Sequence, residues 1–169
     1  HEWVEGVIGD QYPVPDRILK YTEVAVRDYL NHELCDNRPP EGNMQLFAVE
    51  GGTAAMCYIF DSLMQNHLLR QGDSIALLVP AFTPYIEIPE LKRYDFDVLH
   101  IPASRMTDDG LHLWQYEEKD INRLRDQKYK ALFIINPSNP PSYALAPETV
   151  AQIKDIVDRW NPNLMIVTD

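Results

Sequence analysis

Apolar positions fall into short unbroken runs separated by longer stretches with helical spacing, and this alternation predicts strands and helices in turn. Ile75-Ala76-Leu77-Leu78-Val79, Ala131-Leu132-Phe133-Ile134-Ile135 and Leu164-Met165-Ile166-Val167-Thr168 are predicted as strands from their short apolar runs. Phe96-Asp97-Val98-Leu99-His100-Ile101 alternates and predicts a half-buried strand, and Met44 to Val49 predicts a short one. The spacing of Ile18, Leu19, Val24, Val26, Tyr29, Leu30 and Leu34 predicts a helix to about Cys35, with Asp16 as its N-cap. A long apolar helix is predicted from Ala54 to about Arg70, opened by Gly51-Gly52-Thr53 and stopped at Gly72. Further helices are predicted over 84–93 with Pro89 as a kink, over 115–127 as a charged helix, and from Pro147 at its first turn to about Trp160. Strands alternating with helices imply an α/β fold: three layers, a mostly parallel sheet with helices on both faces.

Composition narrows the picture without changing it. The chain of 169 residues is 45% apolar and 24% charged, as a soluble globular domain is. Its formal net charge of −11 argues against nucleic acid and anionic membrane surfaces as partners, because both select Lys/Arg clusters. No apolar run approaches the roughly 18 residues of a membrane span. No signal-peptide pattern opens the chain, so a cytoplasmic address is the default expectation. Cys35 and Cys57 sit on separate predicted helices and suggest neither a disulfide framework nor a metal clip. His32, His67, His100 and His112 lack metal-ligand spacing, and Asp108-Asp109-Gly110 lacks the rest of a calcium loop. The first residue is not Met and the last strand runs flush to Asp169, so a piece of a longer protein is expected.

Candidate chemistry gathers at or just beyond the ends of predicted strands, the edge where open α/β sheets bind ligands. Gly51-Gly52-Thr53 turns a strand into a helix, whose backbone N–H groups and dipole can hold a phosphate, with the Thr53 hydroxyl beside them. An ordinary helix start reads the same way, and neither the P-loop ending nor the dinucleotide glycine spacing is present. Pro80-Ala81-Phe82-Thr83-Pro84-Tyr85 holds aromatics on a proline-braced loop, where they can stack on a flat ligand or simply pack. Asn136-Pro137-Ser138-Asn139-Pro140-Pro141-Ser142 is a stiff loop with two amides, either a site wall or a proline-rich turn. Asp169 follows the last strand, as a carboxylate for a cationic ligand atom or as the N-cap of whatever follows.

In this order and at these strand ends, the four features resemble the large domain of fold-type I pyridoxal-phosphate enzymes, the aspartate aminotransferase superfamily. The resemblance runs from about Tyr12 to Asp169. It implies an N-terminal segment over 1–40 and the first part of the cofactor-binding domain over 41–169, truncated. It implies pyridoxal 5'-phosphate as cofactor. Asp169 would pair with the pyridine nitrogen, Asn139 with the phenolic oxygen, and Phe82 with the ring face. Gly52 and Thr53 would bind the phosphate. Tyr12, in Tyr12-Pro13-Val14-Pro15, is similar to the tyrosine lent to a neighbouring subunit's phosphate, which implies a homo-oligomer of at least two chains.

The usual loop of the superfamily reads Asn-Pro-Thr-Gly, where this chain has Asn139-Pro140-Pro141-Ser142. Serine in place of glycine loses easy access to positive φ, so the loop is expected to turn differently. With Gly51-Gly52-Thr53-Ala54-Ala55-Met56 and Val79-Pro80-Ala81-Phe82-Thr83-Pro84-Tyr85, this departure is similar to the bacterial aspartate 4-decarboxylase branch. That branch implies β-decarboxylation of L-aspartate to L-alanine and CO2, with aspartate aminotransferase activity beside it. Another aminotransferase, or a non-catalytic α/β binding module, are the competing readings. No catalytic residue is assigned within the chain. The resemblance places the Schiff-base lysine beyond Asp169, so residues 1–169 alone are expected to be inactive.

Overall fold

The computed structural model describes residues 3–4, 18, 20–39, 41–42 and 44–169. Two compact units emerge, His1–Glu50 and Gly51–Asp169. In the first, helix α1 covers Lys20–Cys35, with Arg27 paired to Glu23 one turn away. The chain then turns through Asp36 and Asn37, both at positive φ. The strand expected over Met44–Val49 does not form: no ladder partner meets it among the described residues, and Phe47 is 66% exposed. The N-cap expected at Asp16 lies outside the described residues.

The second unit is built on a five-stranded sheet: β1 (Ser74–Val79), β2 (Asp97–Met106), β3 (Trp114–Tyr116), β4 (Tyr129–Ile134) and β5 (Met165–Thr168). Their order is β3-β2-β1-β4-β5. All neighbours are parallel except β2 and β3, which form an antiparallel edge. Four helices accompany it: α2 (Gly52–Gln65), α3 (Thr83–Glu87), α4 (Glu118–Ile121) and α5 (Pro147–Arg159).

Residue alternation along the central strands divides the core in two. Ile75, Leu77, Ala131, Phe133 and Ile135 point to one face, where they meet Met56 and Phe60 of α2 and Tyr85 of α3. Phe60 is the centre of an aromatic group, its ring 5.2 Å from Tyr94, 5.3 Å from Phe96 and 5.2 Å from Phe133. Ala76, Leu78, Leu132 and Ile134 point the other way, onto Ile121 of α4 and Ile153 and Ile156 of α5. The continuous apolar runs of β1 and β4 are thus accounted for: both their faces are covered.

Several boundaries differ from the sequence reading, each for a physical reason. Helix α2 ends at Gln65 rather than near Arg70. His67 takes φ 59, and the amides of Leu68 and His67 reach back to the Leu63 and Met64 carbonyls in a Schellman closure. This turn frees Leu69 to become fully buried against the sheet. The helix expected over 84–93 is α3 plus a 3-10 turn over Ile88–Glu90, ended after Pro89. The charged helix expected over 115–127 starts only at Glu118, because Trp114–Tyr116 are drawn into β3 by pairing with Ala103, Arg105 and Met106. Past Ile121 it tightens into a 3-10 turn, Asn122–Arg125.

Candidate functional site

Strands β1, β4 and β5 are adjacent and parallel, so the segments leaving them share one edge of the sheet. Helix α2 leads back into the start of β1, so its own beginning lies toward that same edge. Its Met56 packs in one cluster with Ala81, Tyr85 and Ile135, which follow the strand ends. Fold topology therefore gathers Gly52, Thr53, Phe82, Asn139 and Asp169, while Tyr12 lies outside the described residues.

At the start of α2, Gly51 adopts φ 113, a conformation that a side chain would strain. The first helical hydrogen bond runs from the Ala55 amide to the Gly51 carbonyl at 3.0 Å. No side chain caps the helix and no acidic residue occupies its first turn. The amides of Gly52, Thr53 and Ala54 thus remain as donors at the positive end of the helix dipole, as an anion requires. Both Gly52 and Thr53 are exposed.

Phe82 is the N-cap of α3, with its carbonyl accepting the Tyr85 amide at 2.9 Å. Its ring is 43% exposed, while Tyr85 is 7% exposed. One aromatic is therefore offered to solvent and the other is anchored in the core. The Tyr85 hydroxyl donates to Asp169 Oδ2 at 2.9 Å. Burial first, and then the Asp169 carboxylate, push the Tyr85 phenol up, so it stays a proton donor at neutral pH.

Beyond β4, the loop is held by its own side chains. Asn136 Oδ1 accepts the Leu145 amide at 2.9 Å, which makes Asn136 a brace. Ser138 is buried and exchanges bonds with Tyr143: its amide and hydroxyl donate to the Tyr143 carbonyl at 2.9 and 3.0 Å, and its Oγ accepts the Tyr143 amide at 3.3 Å. The Ser142 amide donates to the Ser138 carbonyl at 2.7 Å. These bonds hold Ser142 at φ 59. The expected loss of positive φ at this serine does not occur: Ser142 takes the left-handed conformation, and the network around Ser138 offsets its strain. Asn139 is exposed and its amide has no partner among the described residues.

Two braces had little or no signal in the sequence. Ser138 stood between two Asn-Pro pairs, a hint of a polar turn. Gln115 fell in a stretch that reads as a charged helix, and nothing local marks it as buried. It is fully buried, donates to the Ala144 carbonyl at 2.8 Å and accepts the Ala146 amide at 2.8 Å. The hairpin edge of the sheet thereby grips the far arm of the Asn139 loop.

Asp169 is fixed from β4: its amide donates to the Ile134 carbonyl and its carbonyl accepts the Asn136 amide, both at 2.9 Å. Together the edge offers uncapped amides, an exposed aromatic ring, a free amide side chain and a carboxylate. Such a set suits a flat, phosphorylated heteroaromatic ligand with a basic ring nitrogen. Among the described residues, no cluster of three His, Cys, Asp or Glu could hold a metal ion, and no helix is long and apolar enough to cross a membrane.

No family model matches the chain. Over all 169 residues it is 44% identical to a bifunctional aspartate aminotransferase and L-aspartate beta-decarboxylase of a Pseudomonas species, and it spans 31% of that protein's length. The fold is similar to that of YbdL from Escherichia coli, a structure ascribed a methionine aminotransferase function, with a TM-score of 0.71 at 14% identity over 99% of this chain and 40% of that one. It is likewise similar to cystalysin from Treponema denticola, whose structure contains pyridoxal 5'-phosphate, with a TM-score of 0.65 at 16% identity over 99% of this chain and 40% of that one.

Proposed function

We propose that this relative of the fold-type I pyridoxal-phosphate enzymes forms the cofactor cradle of a protein that converts L-aspartate to L-alanine and CO2, with aspartate aminotransferase activity beside it. The observation that carries this reading is the 44% identity, over all 169 residues of the chain, to a protein named for both activities. Pyridoxal 5'-phosphate, when bound, supplies an electron sink. The chain's own residues hold and orient it. Gly52 and Thr53 bind the phosphate through amides and a hydroxyl. Phe82 covers the ring face, and Asn139 donates to the phenolic oxygen. The Asp169 carboxylate keeps the ring nitrogen protonated, which strengthens electron withdrawal. Tyr12 serves the phosphate of a neighbouring chain, so the reading carries with it a homo-oligomer of at least two chains and a cytoplasmic address.

The loop sequence Asn139-Pro140-Pro141-Ser142 supports the decarboxylase branch over a plain aminotransferase. The whole protein, reconstituted with the cofactor, is expected to show a visible absorbance band that borohydride abolishes. It is also expected to release CO2 from L-aspartate in step with alanine. A colourless protein overturns the cofactor reading. A coloured protein that transfers the amino group of aspartate without releasing CO2 overturns the decarboxylase assignment alone.

A further inference from the structure

We infer that Tyr85 is a positioning residue that orients the Asp169 carboxylate for the cofactor's ring nitrogen; this rests on the reading above. A buried phenol needs a hydrogen-bond partner, and the one it finds lies 84 residues away in the chain. Tyr85 is 7% exposed and packs with Met56, Ala81 and Ile135, so its ring cannot swing. Its hydroxyl occupies Asp169 Oδ2. Oδ1 receives no donor among the described residues. Main-chain bonds to Ile134 and Asn136 fix the Asp169 backbone on both sides of its Cα. With the backbone held from β4 and one carboxylate oxygen held from α3, the exposed Asp169 side chain is restrained before any ligand arrives. The remaining oxygen is left for it, and the ordering entropy is spent at folding rather than at binding.

The same short helix start carries both jobs. Phe82 and Tyr85 are joined by the Tyr85 amide to the Phe82 carbonyl, so the ring-covering side chain and the carboxylate are set by one element. The contact would be mere packing if Asp169 were only a convenient acceptor. The two cases differ in what they do to a ligand without a ring nitrogen.

The test uses the whole protein, stripped of cofactor, and equilibrium dialysis of two ligands. One is pyridoxal 5'-phosphate. The other is its analogue with carbon in place of the ring nitrogen. The Tyr85→Phe variant is expected to weaken the cofactor by about ten-fold, the scale of a hydrogen bond to a charged group. It is expected to leave the analogue's affinity within about two-fold, because the analogue makes no use of the carboxylate. Equal losses for both ligands, or no loss for either, overturn the inference while leaving the cofactor reading intact. A wild-type protein that binds neither ligand overturns that reading and this inference with it. Should Tyr85→Phe not fold, 3-fluorotyrosine placed at Tyr85 keeps the shape and makes the hydroxyl a stronger donor. The ring-nitrogen NMR shift of the bound cofactor is then expected to move from its wild-type value, and an unmoved shift overturns the inference.

Discussion

The loops that follow β1 and β4 leave the same edge of the same sheet, both rich in proline, yet they are stiffened by different forces. After β1 only residues 80–82 intervene before α3. The helix satisfies the backbone, and one buried aromatic, Tyr85, ties the segment to the core. After β4, residues 135–146 run without a helix until Pro147. Their backbone groups must find partners elsewhere, and Asn136, Ser138 and Gln115 supply them. The distance to the next helix decides whether a loop is held by packing or by polar side chains. A packed loop has one point of failure; a bonded loop has several smaller ones.

The largest expected effect tests the packed loop. Tyr85→Ala empties a site of a 7% exposed aromatic and is expected to cost about 3 kcal/mol in urea unfolding of the whole protein. A cost no larger than that of Phe82→Ala, at a 43% exposed ring, would erase the contrast. Next comes the bonded loop. Ser138→Ala strands the Tyr143 amide and is expected to cost about 1–2 kcal/mol. Faster amide exchange at Ser142 and Tyr143 should accompany it, with the Tyr85 amide unchanged; loosening of both loops together would show them to be one unit. The smallest effect is a gain. Ser142→Gly relieves a left-handed serine at φ 59 and should raise stability by about 0.5–1 kcal/mol, net of glycine's entropy. A loss would mean that the Ser142 hydroxyl bond to the Pro140 carbonyl, at 3.4 Å, outweighs the strain.

The same division explains what could be read without coordinates. The strands β1 and β4 were legible because burial on both faces leaves unbroken apolar runs, and α5 because Pro147 marks its first turn. β5 has the same apolar run but, at the edge of the described sheet, leaves Ile166 41% exposed, so the strand expected there is a half-exposed one. Local rules failed where distant partners decide. Leu68 and Leu69 continue the period of α2, but burying Leu69 turned the chain at His67. Trp114-Gln115-Tyr116 alternates as a strand does but is too short to stand out beside the charged stretch that follows, and it becomes a strand by lying beside Ala103–Met106. At the candidate site, residue types and strand-end positions were visible in sequence. The Tyr85–Asp169 bond, made between residues far apart in the chain, was not. The conformation of Ser142 does not follow from its residue type, because the bond from its amide to the Ser138 carbonyl sets its backbone.

Gln115 holds Ala144 and Ala146 entirely by their main-chain groups. A grip of that kind is blind to what it grips. Ala144 and Ala146 can drift to other small side chains over evolutionary time without losing these bonds, whereas position 115 must keep an amide of that length. Part of the information that keeps the Asn139 loop in place is therefore stored outside the loop, in a neighbouring hairpin, beside the braces that Asn136 and Ser138 supply from within it. A designer grafting the loop onto another scaffold would need to carry that single glutamine along.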